Sequence, residues 1–159
     1  MCEIPLEVAD AEIIVRCVCS PYHCDGKKLK WKAFYPPLDS DGVSVIRADH
    51  VGADECKRRG KMLADLGQRK IYSGLAVIRA QSIRQCGATL VDSREEFPGH
   101  ADIMHGHVMP NGEPPTPDII ERVRTRCKDL LALSAFFVDP EPHLEPWTGA
   151  ALTPPPTPM

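Results

Sequence analysis

The stretch "GHADIMHGHV", Gly99 to Val108, sets three histidines and an aspartate into eight positions. Residues of these types bind metals, move protons or orient one another. Along an extended chain side chains alternate between faces. His105 and His107 then share one face with Ala101 and Ile103, about 7 Å apart, twice the rise per residue. That spacing suits two imidazoles on one metal ion, with Asp49, His50, His23 or Cys24 as further candidate ligands. On the same pattern His100 and Asp102 share the opposite face, where the carboxylate can orient the imidazole for general-base work. The competing reading is a half-exposed strand whose histidines bond to backbone carbonyls. No H-E-x-x-H spacing is present to favour a metal more strongly.

A second cluster, "CVCSPYHC", offers Cys17, Cys19, His23 and Cys24. Its C-x-C spacing departs from the C-x2–4-C knuckle that lets two thiolates converge on zinc, and there is no second knuckle. The seven cysteines read instead as reduced, buried, small apolar side chains. Ser44 and Ser73 are candidate nucleophiles, but neither sits in a G-x-S-x-G elbow. No phosphate-binding P-loop and no dinucleotide-binding glycine pattern occurs.

The arginines are better placed. Arg16 lies inside the apolar run "EIIVRCVC", and Arg47 and Arg79 end "VSVIR" and "LAVIR". A cation within an apolar strand must reach water or be paired. Asp49, Asp92 and Asp102 are the candidate partners for a buried network that fixes strand register. The functional alternative is an anion clamp built from Arg16 and Arg47, because a guanidinium matches phosphate and carboxylate geometry. Two basic clusters, Lys27–Lys32 and Lys57–Lys61, read as solvated faces. Trp31, set among lysines, also has the composition of a single-stranded nucleic-acid contact.

These residues must be positioned by one domain, since the chain has 159 residues. The net charge of −3 argues against a general nucleic-acid coat. The acidic start "MCEIPLEVADAEIIVR" lacks a signal-peptide pattern, and no apolar run approaches the ~20 residues of a membrane span. The expected location is cytoplasmic, without membrane contact. Strands are expected over residues 12–19, over "LKWKAFY" (29–35), over 43–47, "KIYSGLAVIRA", "ATLVD" and "HADIMHGHVM". The first two strands should form a hairpin around a turn at Asp25-Gly26, and another turn is expected at Asp41-Gly42. A helix is expected over 53–66, with Asp54 as N-cap, Gly67 as stop and an unfavourable Gly60 inside. A short helical turn should close at Gly87. The clearest element is the amphipathic helix after Thr116-Pro117. Beyond Val138 the chain carries seven of its sixteen prolines. It can be neither helix nor central strand. Residues 1–138 are therefore expected as a single α+β domain, a small mixed or antiparallel sheet packed by the C-terminal and middle helices. Residues 139–159 are expected as an extended, partly disordered proline-rich tail, with Trp147 suited to lie in a partner's groove.

The ordered segments "IVRCVCSPYH", "LKWKAFYPP", "DGVSVIRAD", "SGLAVIRAQSIR", "ATLVDS" and "GHADIMHG" resemble a loose group of short bacterial hypothetical proteins. The resemblance spans about residues 12–110, and its recurring pattern falls on Arg16, Ser44, His100 and Asp102. It implies a prokaryotic origin and a role beside neighbouring genes, in defence or toxin-neutralising modules. The expected function is a non-enzymatic accessory protein docking on a larger bacterial partner. The alternative is a small enzyme acting on a phosphorylated or nucleotide substrate through His100, Asp102 and an Arg16/Arg47 clamp. A single-stranded nucleic-acid binder ranks third. The residues name no cofactor.

Overall fold

A computed structural model describes residues 3–37, 40, 42–67 and 70–156. Its centre is a six-stranded antiparallel sheet. The strands are β1 (Ile13–Ser20), β4 (Val43–Arg47), β5 (Ile71–Arg79), β6 (Thr89–Asp92), β7 (His100–Met104) and β8 (Ala135–Val138), in the spatial order β6-β7-β4-β1-β5-β8. A two-stranded ribbon, β2 (Cys24–Asp25) with β3 (Lys28–Leu29), lies outside it. The helices are α1 (Ala48–Val51), α2 (Ala53–Leu66), α3 (Ala80–Gln85) and α4 (Pro117–Ala132). The fold is therefore α+β, and its sheet is antiparallel rather than mixed.

Strands β1 and β5 carry long β-branched runs because both faces of the sheet are covered. One face sends Ile14, Val18, Val43, Val45, Ala76, Ile78, Ala101 and Ile103 into a core shared with Val123, Cys127 and Leu130 of α4. The other sends Val15, Cys17, Ile46, Leu75 and Val77 against Cys56 and Ala64 of α2. Thr116 caps α4 by accepting the Ile119 N–H at 3.3 Å, and Pro117 occupies the first turn, as its sequence predicts.

Gly60, unfavourable for a helix by propensity, is required by packing. A Cβ there would lie 3.0 Å from the Tyr72 ring and 3.3 Å from Cys17 Cβ. The absent side chain lets α2 lie close on β1 and β5.

Four expectations fail here. Residues 29–35 are not a strand: Trp31–Phe34 is a 3-10 turn that buries Ala33 and Phe34. No hairpin joins β1 to that segment, because β1 is paired on both sides, by β4 and β5. Strand β7 ends at Met104, since Gly106 adopts φ +67° and the chain leaves the sheet. Helix α2 has Gly52 as its N-cap, with no side-chain cap; Asp54 instead accepts the Trp147 N–H at 2.8 Å. Strand β8, not foreseen, adds an edge to β5. The expected turn at Asp25-Gly26 is present, with Gly26 at φ +59°. Of the expected Asp41-Gly42 turn, Asp41 lies outside the described residues, as does Cys2.

The proline-rich segment forms neither helix nor strand through residue 156. It is nevertheless bound to the domain. Buried Lys57 of α2 sits 3.1 Å from Asp139 Oδ2 and donates to the carbonyls of Glu141 and Pro146, both at 2.8 Å. Tyr72 Oη donates to Asp139 at 2.8 Å. Trp147 and Leu152 pack against the α2-side core.

Candidate functional site

The sequence-level candidates do not converge on one place. Arg47 is fully buried. Its Nε and Nη2 each lie 2.8 Å from a Glu12 carboxylate oxygen, its Nη1 2.7 Å from Asp92 Oδ2, and its Nη2 also donates to the Glu7 carbonyl. Burial opposes ionisation of Glu12, but hydrogen bonds from Arg47 and the Ala9 N–H, with the charges of Arg47 and His50, outweigh it and lower its pKa. Asp92 follows the same balance, with Arg94 and Arg47 as donors. Arg47 is thus consumed as a structural cation tying the N-terminal segment to β4 and β6. Of the expected partners Asp92 serves; Asp49 accepts the Ile13 N–H, Asp102 turns elsewhere, and Glu12, not among the expected partners, takes the second place.

His100, Asp102 and Ser44 form the second group. Ser44 and Asp102 are cross-strand partners on β4 and β7. Ser44 Oγ lies 2.6 Å from His100 Nε2, and His100 Nδ1 lies 3.3 Å from the Ser93 carbonyl. That carbonyl can only accept, so Nδ1 carries the proton and Nε2 accepts the Ser44 hydroxyl. Asp102 does not orient His100; it accepts from Ser93 Oγ at 2.5 Å. The edge of Phe97, with Arg59 stacked 3.8 Å over it, closes the other side of the His100 ring. A hydroxyl bonded to an oriented imidazole is the geometry of a nucleophile and its base. By strand alternation it points to the α2 side of the sheet, away from the Arg16 side chain. The expected convergence of His100, Asp102, Arg16 and Arg47 does not occur.

His105 and His107 lie beyond β7, with ring centroids 6.3 Å apart. Each Nε2 meets a carbonyl, Phe34 O at 3.0 Å and Pro37 O at 2.9 Å. His105 Nδ1 faces Arg126 Nη1 at 3.5 Å. Burial, opposed by the Phe34 hydrogen bond and helped by Arg126, pushes His105 down to about 4. His105 thus holds the turn after β7 onto the 3-10 segment, and His107 holds it onto Pro37 just beyond. Cys17 and Cys19 belong to the α2-side core and Cys24 to the opposite one. Among the described residues no group of three or more His, Cys, Asp or Glu side chains is placed to hold a metal ion. Burial pushes the Cys17 and Cys127 thiols up to about 12, which leaves them protonated and unreactive.

Arg16 is the exception. Half-buried on β1, it donates from Nε to the Ala33 carbonyl at 2.7 Å and from Nη1 to the Ser44 carbonyl at 3.1 Å, and among the described residues it pairs with no carboxylate. Its guanidinium opens on a cleft of about 550 Å3. Lys32, Lys70 and Arg124 join it as cations, and Trp31 and Tyr35 supply aromatic walls, their rings edge to face at 5.5 Å. Among the described residues no carboxylate lines this cleft. The 3-10 turn is what builds it. As a strand, residues 29–35 would have spread Trp31 and Lys32 onto opposite faces; wound up, they stand at one mouth. Sequence reasoning picked out Arg16, Trp31 and the Lys27–Lys32 cluster separately. It missed Lys70 and Arg124, which come from 54 and 108 residues further along the chain than Arg16.

Trp147, expected to reach a partner, donates from Nε1 to the Ala150 carbonyl at 2.9 Å and packs on its own domain. Lys57, expected on a solvated basic face, is buried in the Asp139 ion pair. No described helix is long and apolar enough to cross a membrane. No family model, curated protein or solved structure matches the chain.

Proposed function

We propose that the protein is a non-enzymatic binding module for a phosphate-bearing aromatic ligand of the nucleotide class, taken up in the cleft around Arg16. One observation carries this reading. Four cations and three aromatic rings, Tyr22, Trp31 and Tyr35, converge on a cleft that no described carboxylate neutralises, in a chain whose net charge is negative. The volume falls within the range of about 300–1,000 Å3 typical of small-molecule sites. Guanidinium and ammonium groups suit phosphate, and indole and phenol rings suit a base stacked beside it. Binding rather than turnover is favoured because the imidazole in the cleft, His23, is pushed down to about 3 by burial, Arg16 and Lys70. That makes it a poor general base near neutral pH.

This keeps the phosphate-recognition part of the sequence-level alternative, with Arg16 retained and Arg47 replaced by Lys32, Lys70 and Arg124. It also gives the accessory role a concrete form, in which the protein presents or senses a nucleotide for the larger bacterial partner.

Trp31 fluorescence tests it. With Trp147→Phe as background, titration with adenosine 5′-monophosphate (AMP) should give saturable quenching that weakens as salt is raised. Adenosine should give little. Absence of saturable quenching by AMP, with or without added salt, overturns the reading. Equal quenching by a single-stranded oligonucleotide at far lower concentration would replace a free nucleotide with a strand.

A further inference from the structure

The floor of the cleft contains a contact that hydrogen-bond chemistry does not allow to close on itself. The Cys19 backbone N–H donates to His23 Nδ1 at 3.1 Å. A backbone N–H only donates, so Nδ1 must present its lone pair. A neutral imidazole then carries its proton on Nε2. Protonating the ring would place a second N–H against that of Cys19, and burial, Arg16 and Lys70 all oppose the charge. His23 Nε2 in turn lies 3.4 Å from Arg16 Nη2. Arginine has no acceptor. Two N–H donors therefore face the same point, and neither can satisfy the other.

We propose that Arg16 Nη2 and His23 Nε2 form a two-donor seat for one oxygen of a terminal phosphate. This rests on the nucleotide reading for what the phosphate is attached to. An oxyanion placed between the two nitrogens accepts from both, turning a donor–donor opposition into two charge-assisted bonds. The remaining Arg16 N–H bonds keep the fork rigid, because Ala33 O and Ser44 O fix its plane. His23 is fixed as firmly, since its ring orientation is set by Cys19 at the β-bulge that interrupts the β1–β5 pairing between Val18 and Cys19. Lys70, which lines the same cleft, adds a second positive charge near the seat. A monoester phosphate brings three acceptor oxygens and close to two negative charges at neutral pH, whereas a diester brings two oxygens and one charge. The seat thus selects a terminal phosphate over an internal one.

The test uses the full chain, nitrogen-15 labelled, at pH 7. Long-range proton–nitrogen spectra of the imidazoles should show His23 as the Nε2–H tautomer before any ligand. Its Nε2 resonance should move on titration with AMP, saturating at the same concentration as Trp31 quenching. Cyclic AMP, which carries the same base on a phosphodiester, should bind at least tenfold more weakly. His23→Phe should weaken AMP at least tenfold and leave cyclic AMP within about twofold. If AMP quenches Trp31 while the His23 ring stays unmoved, or if His23 is the Nδ1–H tautomer, the seat is overturned and the cleft reading stands. If AMP leaves both silent and inorganic phosphate also leaves His23 unmoved, both fall. If inorganic phosphate moves His23 and AMP does not quench Trp31, the seat is retained and the nucleotide reading falls. The wild-type spectra decide the matter should His23→Phe fail to fold.

Discussion

Lys57 Nζ lies 3.1 Å from Asp139 Oδ2, and neither side chain is exposed to solvent. The pair joins the middle of α2 to the first residue after β8, and two tail carbonyls complete the shell around the ammonium. A buried ion is tolerated only with such a shell. The pair therefore converts a proline-rich segment that cannot build secondary structure into part of the domain.

Removing one partner should release that segment. Asp139→Ala leaves a buried ammonium without its counter-ion and should cost about 3–5 kcal/mol in urea unfolding. Limited proteolysis should then cut between residues 140 and 156 much faster than in the wild type. Unchanged proteolysis would show that the carbonyl contacts and Trp147 hold the tail unaided.

Gly60→Ala should destabilise the protein although alanine favours the helix by about 1 kcal/mol. The new methyl meets the Tyr72 ring at 3.0 Å, and overpacking of this kind costs about 1–3 kcal/mol. Thermal unfolding decides between the two effects, and a rise in Tm would mean that α2 shifts freely on the sheet.

Acid should weaken the Arg47 network. Glu12 and Asp92 have pKa values below their ordinary 4.5 and 3.8. Between those values and the lower folded ones the unfolded chain binds more protons, so stability falls as pH drops through that window and is fully present above about pH 5. Arg47→Met removes the main donor to Glu12, while Asp92 keeps Arg94, and should flatten this dependence, at a cost of about 3–5 kcal/mol for a carboxylate left buried without its cation. Urea unfolding of both proteins at pH 3 to 6 measures the difference in slope.

Ser44→Ala should cost about 1 kcal/mol, the net worth of one hydrogen bond with His100 left short of a donor. AMP quenching of Trp31 should stay unchanged, because Ser44 meets Arg16 only through its backbone carbonyl. A loss of quenching would connect the two faces of the sheet.

Local pattern made much of the fold legible. Val43–Arg47, Thr89–Asp92, the two long helices and the start of β7 coincide with their β-branched or amphipathic runs. The errors cluster where tertiary contact outweighs alternation. "LKWKAFY" alternates well enough for a strand, yet Phe34 and Ala33 are needed under α4, and a 3-10 turn buries both. "HGHV" continues the alternation of β7 until Gly106 turns it away. The four residues of β8 carried no alternation to read, and became a strand because β5 had a free edge with Gly74 at its closest approach.

The candidate site was legible only as separate pieces. Local pattern alone marks Arg16 as a cation in an apolar strand, needing either a partner or a ligand, and sets Trp31 among lysines. It establishes equally that residues beyond Val138 can form neither helix nor sheet. Long-range packing is what gives Arg47 its neutralising partners Glu12 and Asp92 and leaves Arg16 facing His23 as a second donor. The physical reason is that a buried charge is governed by whatever lies within a few ångströms of it. For both arginines those neighbours come from strands, turns and helices far apart in the chain.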